Sequence, residues 1–381
     1  MPGRRRSSVF RRMSVSSQLD EIKLEVPEIN GGTQKASITD FDPLKVLGQG
    51  AYGKVLLVKN KQTGRLFAQK ELKKASISVN SKTYERTFSE RTILASVSSH
   101  PNIVKLFYAL HDDEKLYLML EYIPGGELFQ HLAQRKFLDE KCTSFYVAQM
   151  ALALRHLHKT GTVYRDLKPE NCLLDKDGYL VLTDFGLAKQ PLDHDSDNWC
   201  HSIIGTPEYC SPEVLRGEEY GTKTDWWSLG CVMFDLLTGA PPFTGNNHKT
   251  IIDRILKQKP KYPFYLTSDS KDLLAKLLNK NSSKRLDVDS DWTKFSKHRV
   301  FRYYDWKDLE NRAVAAPIIP TITDPEMAEN FDDKFTSQRF TACETKPIDI
   351  VQSPQAEPDH FKGFSFTASD TVLQPYLAPS L

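Results

Sequence analysis

The apolar pattern of this 381-residue chain changes period once, and that change limits the folds open to it. Between Phe41 and Glu121, β-type residues cluster in short runs: Lys45-Val46-Leu47, Val55 to Val58, Arg65 to Leu72, and two more near 103–110 and 115–121. Residues 83–98 interrupt them with Phe88, Ile93, Leu94 and Val97 at helical spacing. After Gly125-Gly126 the repeat becomes helical, at 128–136, 143–160, 224–238, 248–257 and 270–278. Strands that precede helices, rather than alternate with them, predict an α+β architecture. A small antiparallel-β lobe with one main helix (41–122) would be followed by a larger, mostly helical lobe (123–301). From about residue 305, Pro, Asp, Thr and Ser dominate, which predicts an extended tail over 302–381 and no third domain. Residues 1–40 are rich in Arg, Ser and Gly and read as a disordered arm.

Composition narrows the setting. A net charge of +2 is too small to make nucleic acid or a membrane the main partner. Six cysteines (142, 172, 200, 210, 231, 343) show no paired metal-ligand spacing and read as reduced thiols. No run of about 18 apolar residues is present, so no membrane span is expected. The basic N-terminus lacks the apolar stretch of a secretory signal, and acidic residues from Asp20 onward argue against a transit peptide. These features predict a cytoplasmic protein, with the nucleus left open.

The first chemical signal is Gly48-Gln49-Gly50-Ala51-Tyr52-Gly53-Lys54-Val55. Three glycines at this spacing also occur in tight turns and in dinucleotide-binding folds, where a strand, a loop and a helix follow one another. Here β-type residues flank the loop on both sides, as in a hairpin that lies over ATP phosphates and lets backbone N–H groups approach them. Lys70 closes the next strand-like run, Phe67-Ala68-Gln69-Lys70. Alone it would be a solvated surface charge. After the glycine loop it reads as the cation on the α- and β-phosphates, with Glu90 on the helix as its partner.

A second cluster completes the set: Tyr164-Arg165-Asp166-Leu167-Lys168-Pro169-Glu170-Asn171, then Asp184-Phe185-Gly186, then Ser211-Pro212-Glu213. In order and spacing, residues 48–213 resemble the eukaryotic protein kinases. That resemblance implies the bilobal kinase fold, ATP and Mg²⁺ as cofactors, and transfer of the γ-phosphate to protein substrates. It implies an ATP pocket at Leu47, Gly48, Gln49, Gly50, Ala51, Tyr52, Gly53, Val55, Ala68, Lys70, Glu90, Glu121, Ile123 and Glu127, with Leu120 as gatekeeper. Asp166 and Lys168 would be catalytic. Asn171 and Asp184 would supply oxygen ligands suited to Mg²⁺. Asp225 would tether the catalytic loop, and Arg285 would pair with Glu213. The alternative class, a pseudokinase scaffold, usually lacks the lysine, the base or the metal-binding Asp; all three are here.

Tyr164 before Arg165-Asp166, and Gly205-Thr206-Pro207-Glu208-Tyr209, resemble the AGC group of serine/threonine kinases. Pro317-Ile318-Ile319-Pro320, Glu329-Asn330-Phe331-Asp332, Ser353-Pro354 and Phe361-Lys362-Gly363-Phe364-Ser365-Phe366 follow in the order of an AGC C-terminal tail. The Phe331 region would then reach the nucleotide pocket, and the last motif would dock beside the Glu90 helix. Three phosphosites are implied: Ser202 in the activation loop, Ser353 in the turn motif and Ser365 in the hydrophobic motif. Arg165, Lys189 and Arg86 would hold the Ser202 phosphate. Upstream activating kinases would be partners, and the chain would work as a monomer. The tail spelling is most similar to the ribosomal protein S-six kinase branch, which answers to the TOR pathway. The protein kinase B and serum/glucocorticoid-regulated branches remain competitors. Glu127, Glu170 and Asp235 match acidic positions that relatives use for arginines upstream of the phosphoacceptor, so protein substrates of the pattern Arg-x-(Arg/Lys)-x-x-(Ser/Thr) are expected. Arg5-Arg6-Ser7-Ser8 and Arg11-Arg12-Met13-Ser14 resemble such sites themselves.

Overall fold

The structure, a computed structural model, describes residues 36–50, 53–78, 81–97, 99–190, 200, 205–338 and 361–377. The small lobe holds β1 (Phe41–Gln49), β2 (Gly53–Asn60), β3 (Leu66–Lys73), α1 (Lys74–Ser78), α2 (Ser81–Val97), β4 (Leu106–His111) and β5 (Lys115–Glu121). The strands form one antiparallel sheet in the order β1-β2-β3-β5-β4. The β1–β2 connection is the glycine-rich hairpin. A Cβ at Gly53 would run into the Glu71 carbonyl of β3, so that position accepts glycine alone without a shift of backbone.

The large lobe follows with α3 (Leu128–Arg135), α4 (Glu140–Lys159), β6 (Cys172–Leu174), β7 (Leu180–Leu182), α5 (Pro212–Arg216), α6 (Lys223–Thr238), α7 (His248–Lys257), α8 (Ser268–Leu277) and α9 (Trp292–Ser296). Asp139 caps α4 through its carboxylate, which accepts the Cys142 N–H at 2.7 Å. Helices α4, over residues 143–154, and α6 are buried nearly all round and form the core, with Phe145, Tyr146, Trp226 and Trp227 fully buried. Arg285 forks onto both Glu213 oxygens at 2.5 and 2.8 Å, an arrangement worth its desolvation because it is bidentate. The β6–β7 hairpin begins at Cys172, directly after residues 164–171.

The tail was predicted as extended; it carries short elements of its own. These are α10 (Trp306–Glu310), α11 (Asp333–Thr336), β8 (Phe366–Thr367) and α12 (Asp370–Leu377). It crosses Gly126, whose φ of 72° and whose Cβ position, blocked by the Asn330 backbone, both require glycine. Phe364 is fully buried edge-on to Phe88 of α2 at 5.6 Å, and Phe361 lies near Tyr84 and Phe88. Arg91 of α2 donates to the carbonyls of Phe364 (3.1 Å) and Ser365 (2.9 Å), and β8 then extends the sheet along β4. Among the described residues no helix is long and apolar enough to cross a membrane.

Candidate active site

Strand β3 carries Lys70 into the cleft, where its Nζ is 2.6 Å from Glu90 Oε1 and 3.1 Å from Asp184 Oδ1. Burial pulls the Lys70 ammonium down, but the two carboxylates outweigh it and its pKa is raised. Burial likewise pushes Glu90 up, against Lys70. Lys70 is held charged from two sides, and its charge opposes the burial that pushes Glu90 up. Asp184 stands in the left-handed region (φ 52°) with its side chain 52% exposed to the cleft. The Lys70 ammonium holds its carboxyl below the usual range, against burial.

Asp166 faces it from the catalytic loop. Lys168 Nζ donates to Asp166 Oδ2 at 2.9 Å, and Asn171 Nδ2 donates to the same oxygen at 2.8 Å. Burial nevertheless pushes Asp166 up, beyond what Lys168 and Asn171 take back. The two carboxylates are thus driven in opposite directions, one toward accepting a proton and the other toward staying ionised. The Asn171 amide spends its N–H groups on Asp166, which leaves its oxygen to a ligand. Among the described residues no three His, Cys, Asp or Glu side chains cluster in a way that could hold a metal. Two protein oxygens, from Asn171 and Asp184, with the remaining positions left to water and phosphate, suit Mg²⁺.

The loop itself is held from beneath. Arg165 has φ 68°, a costly conformation for a non-glycine residue. Asp225 of α6, wholly buried, accepts the N–H groups of Tyr164 (2.9 Å) and Arg165 (2.8 Å). His158 at the end of α4 places Nε2 2.8 Å from Asp225 and Nδ1 2.9 Å from Asp289. Burial lowers the imidazole pKa, but hydrogen bonds to the two carboxylates raise it to about 9. The sequence pointed to Asp225; His158 and Asp289 carry no spacing signal, since they meet only through the fold.

A cavity of about 250 Å³ lies between the lobes, lined on its apolar side by Leu47, Gly48, Val55, Ala68, Leu120, Ile123, Leu173 and Phe331. Its polar lining includes Lys70, Glu90, Glu121, Glu127, Glu170 and Asp184. Phe331 stacks on Tyr122 at 5.9 Å, so the tail forms part of the wall. Gln49, Gly50 and Gly53 lie on the hairpin above, where the Gly50 N–H donates to the Gly53 carbonyl. Ala51 and Tyr52 fall outside the described residues.

Such a cleft, with an ion-paired lysine, a carboxylate–amide ligand pair and a buried carboxylate bonded to lysine, suits phosphoryl transfer. Residues 41–301 match the protein kinase domain family, and residues 322–366 match the protein kinase C terminal domain. The chain belongs to the protein kinase family. This kinase is 48% identical over 403 residues to serine/threonine-protein kinase YPK3 of Saccharomyces cerevisiae, covering 89% of this chain and 76% of that protein. It is 40% identical over 377 residues to ribosomal protein S6 kinase alpha-2 of Homo sapiens, covering 98% of this chain and 50% of the relative. The kinase thus spans about half the length of that human protein. It is a serine/threonine protein kinase of the AGC group, a phosphotransferase of a family that generally uses ATP and Mg²⁺.

Glu127, Glu170 and Asp235 are the three acidic residues expected to meet upstream arginines. Glu127, at the start of α3, is pushed up by burial and by Glu170. Glu170 Oε2 is sealed from solvent with no hydrogen-bond partner. Asp235 on α6 is buried and accepts the Tyr209 hydroxyl at 2.6 Å, and burial raises its pKa to about 6, with Glu170 adding to the shift. Ser202 and Ser353 lie outside the described residues. Arg165 and Lys189 both direct positive charge at Cys200, two residues before Ser202, while burial pushes that thiol up. Arg86 is half-buried on α2, and Ser365 is exposed beside the docked Phe364.

Proposed function

We propose that this kinase transfers the γ-phosphoryl group of Mg-ATP to Ser or Thr in segments with arginines upstream. The observation that carries the reading is the unpartnered, sealed carboxylate oxygen of Glu170, set among Glu127 and Asp235. One oxygen of this half-buried carboxylate is left without a donor, and an arginine guanidinium reaching the cleft would supply one. In this reading Asp166 orients or accepts the proton of the substrate hydroxyl, and its raised pKa suits that task. Lys168, 2.9 Å from Asp166 and 3.3 Å from Thr206 Oγ1, places a positive charge between the loop and the bound substrate. Lys70 holds phosphate oxygens, and Asn171 and Asp184 hold the metal, which neutralises charge on the phosphates.

Phosphorylation at Ser202, Ser353 and Ser365 by upstream kinases switches the enzyme, which works as a monomer in the cytoplasm within TOR-linked growth signalling. Arg165 and Lys189, whose charges act on Cys200, are the groups that would take the Ser202 phosphate. The test is transfer of radiolabelled phosphate to an Arg-x-Arg-x-x-Ser peptide, by wild type and Asp184→Ala, before and after treatment with an upstream activating kinase. Transfer by the treated wild type alone, with label at Ser202, is expected. Equal transfer to a peptide without arginines would remove the basis for the substrate class.

A further inference from the structure

Past the docked aromatic motif, the chain does not stop at the groove on α2. The Ala368 N–H donates to the Phe107 carbonyl at 2.8 Å, and α12 then runs across the far face of the small-lobe sheet. There Ala368 and Leu373 are buried in the same cluster as Phe41, Phe67 and Phe107. At the end of α12 the Tyr376 ring lies 4.4 Å from Phe107 and 6.1 Å from Phe67. Its hydroxyl donates to Glu121 Oε1 at 3.0 Å.

Glu121 is the last residue of β5 and lines the cleft together with Tyr122 and Ile123. Its backbone N–H is bonded to the Lys105 carbonyl, and its carboxylate takes the Lys105 ammonium at 3.0 and 3.2 Å. Glu121 is thus fixed from three directions, and 255 positions of sequence separate it from the phenol that makes the third contact. We infer that Tyr376 is a positioning residue for the nucleotide: acting through Glu121, it presets the strand end that the nucleotide contacts. A hydrogen bond from a neutral phenol to an ionised carboxylate is strong, and it is made here on a rigid aromatic platform. A ligand that meets a wall already ordered does not have to order it on binding, so affinity gains.

The inference rests on this cleft being the nucleotide site, and binding is therefore measured apart from turnover. The full chain is compared as wild type, Tyr376→Phe, Glu121→Gln and the double variant. Calorimetry gives Kd for Mg-ADP, and steady-state assays give KM for ATP, KM for peptide and kcat. Tyr376→Phe keeps the ring and its packing, so the melting temperature should hold. Its Kd and KM for the nucleotide should rise roughly five-fold or more, with kcat and peptide KM unchanged. In the Glu121→Gln background the same substitution should do less, because the phenol then donates to a neutral amide oxygen. Unchanged nucleotide Kd in Tyr376→Phe overturns the inference, as does an equal effect in the Glu121→Gln background. A wild type that binds Mg-ADP but transfers nothing counts against the proposed function alone, and the Kd comparison still judges Tyr376.

Discussion

The buried imidazolium under the catalytic loop makes a pH dependence that can be worked in advance. His158 titrates at about 9 in the fold against an ordinary value of 6.5. Below pH 6.5 the folded and unfolded chains both hold the proton, and the stabilisation is complete. As pH rises from 6.5 toward 9, the folded chain keeps a proton that the unfolded chain has released. Stability then falls by about 1.4 kcal/mol per pH unit, to a total of about 3 kcal/mol, and the contribution is gone above the folded pKa. Substituting His158→Gln retains a donor of similar size but cannot titrate. Urea unfolding would be followed at several pH values from 6 to 9 by tryptophan fluorescence, to which Trp226, 4.9 Å from His158, contributes. The stability difference, wild type minus variant, should shrink by about 3 kcal/mol across that range. A difference that stays flat with pH would show that the fold does not raise the His158 pKa and would refute the argument.

Removing Lys70 with Lys70→Met leaves Glu90 buried without its cation; stability should drop by about 3–5 kcal/mol in denaturant, and phosphate transfer should fall to background. The substitution Glu170→Gln should raise KM for an arginine-containing peptide by about ten-fold or more while sparing a peptide without arginines; equal loss on both would contradict the arginine site. Phe364→Ala empties a fully buried ring position and should weaken tail docking by about 3–5 kcal/mol. Faster amide exchange in α2 and β4 is the readout, and unaltered exchange there would mean that the tail is held by other contacts.

The sequence was most legible where chemistry dictates residue type at fixed spacing. Lys70, Glu90, Asp166, Lys168, Asn171 and Asp184 come together as their motifs implied, because those motifs lie on short segments whose ends the core fixes. The long helices were readable too, since α4 and α6 are apolar over several turns. What stayed hidden is short or remote. Two-residue β8 has no periodicity to detect, and α12 contains Pro375, which argues against a helix in isolation. The helices α9 and α10 are five residues each, less than two turns, and exist because Phe295 and Leu309 are buried by the large lobe. His158 reads as an ordinary polar residue at a helix end until Asp225 and Asp289 arrive from elsewhere in the chain.

The placement of the tail on the small lobe also has a consequence for how the molecule is made. Arg91 and its acceptor, the Phe364 carbonyl, are 273 positions apart. At roughly 5–20 residues per second, synthesis would leave the β4 edge and the aromatic groove on α2 bare for roughly 15–55 s. An open strand edge beside unfilled aromatic surface invites pairing with other chains. The newborn small lobe therefore gains from chaperone cover until residues 361–377 arrive to fill it.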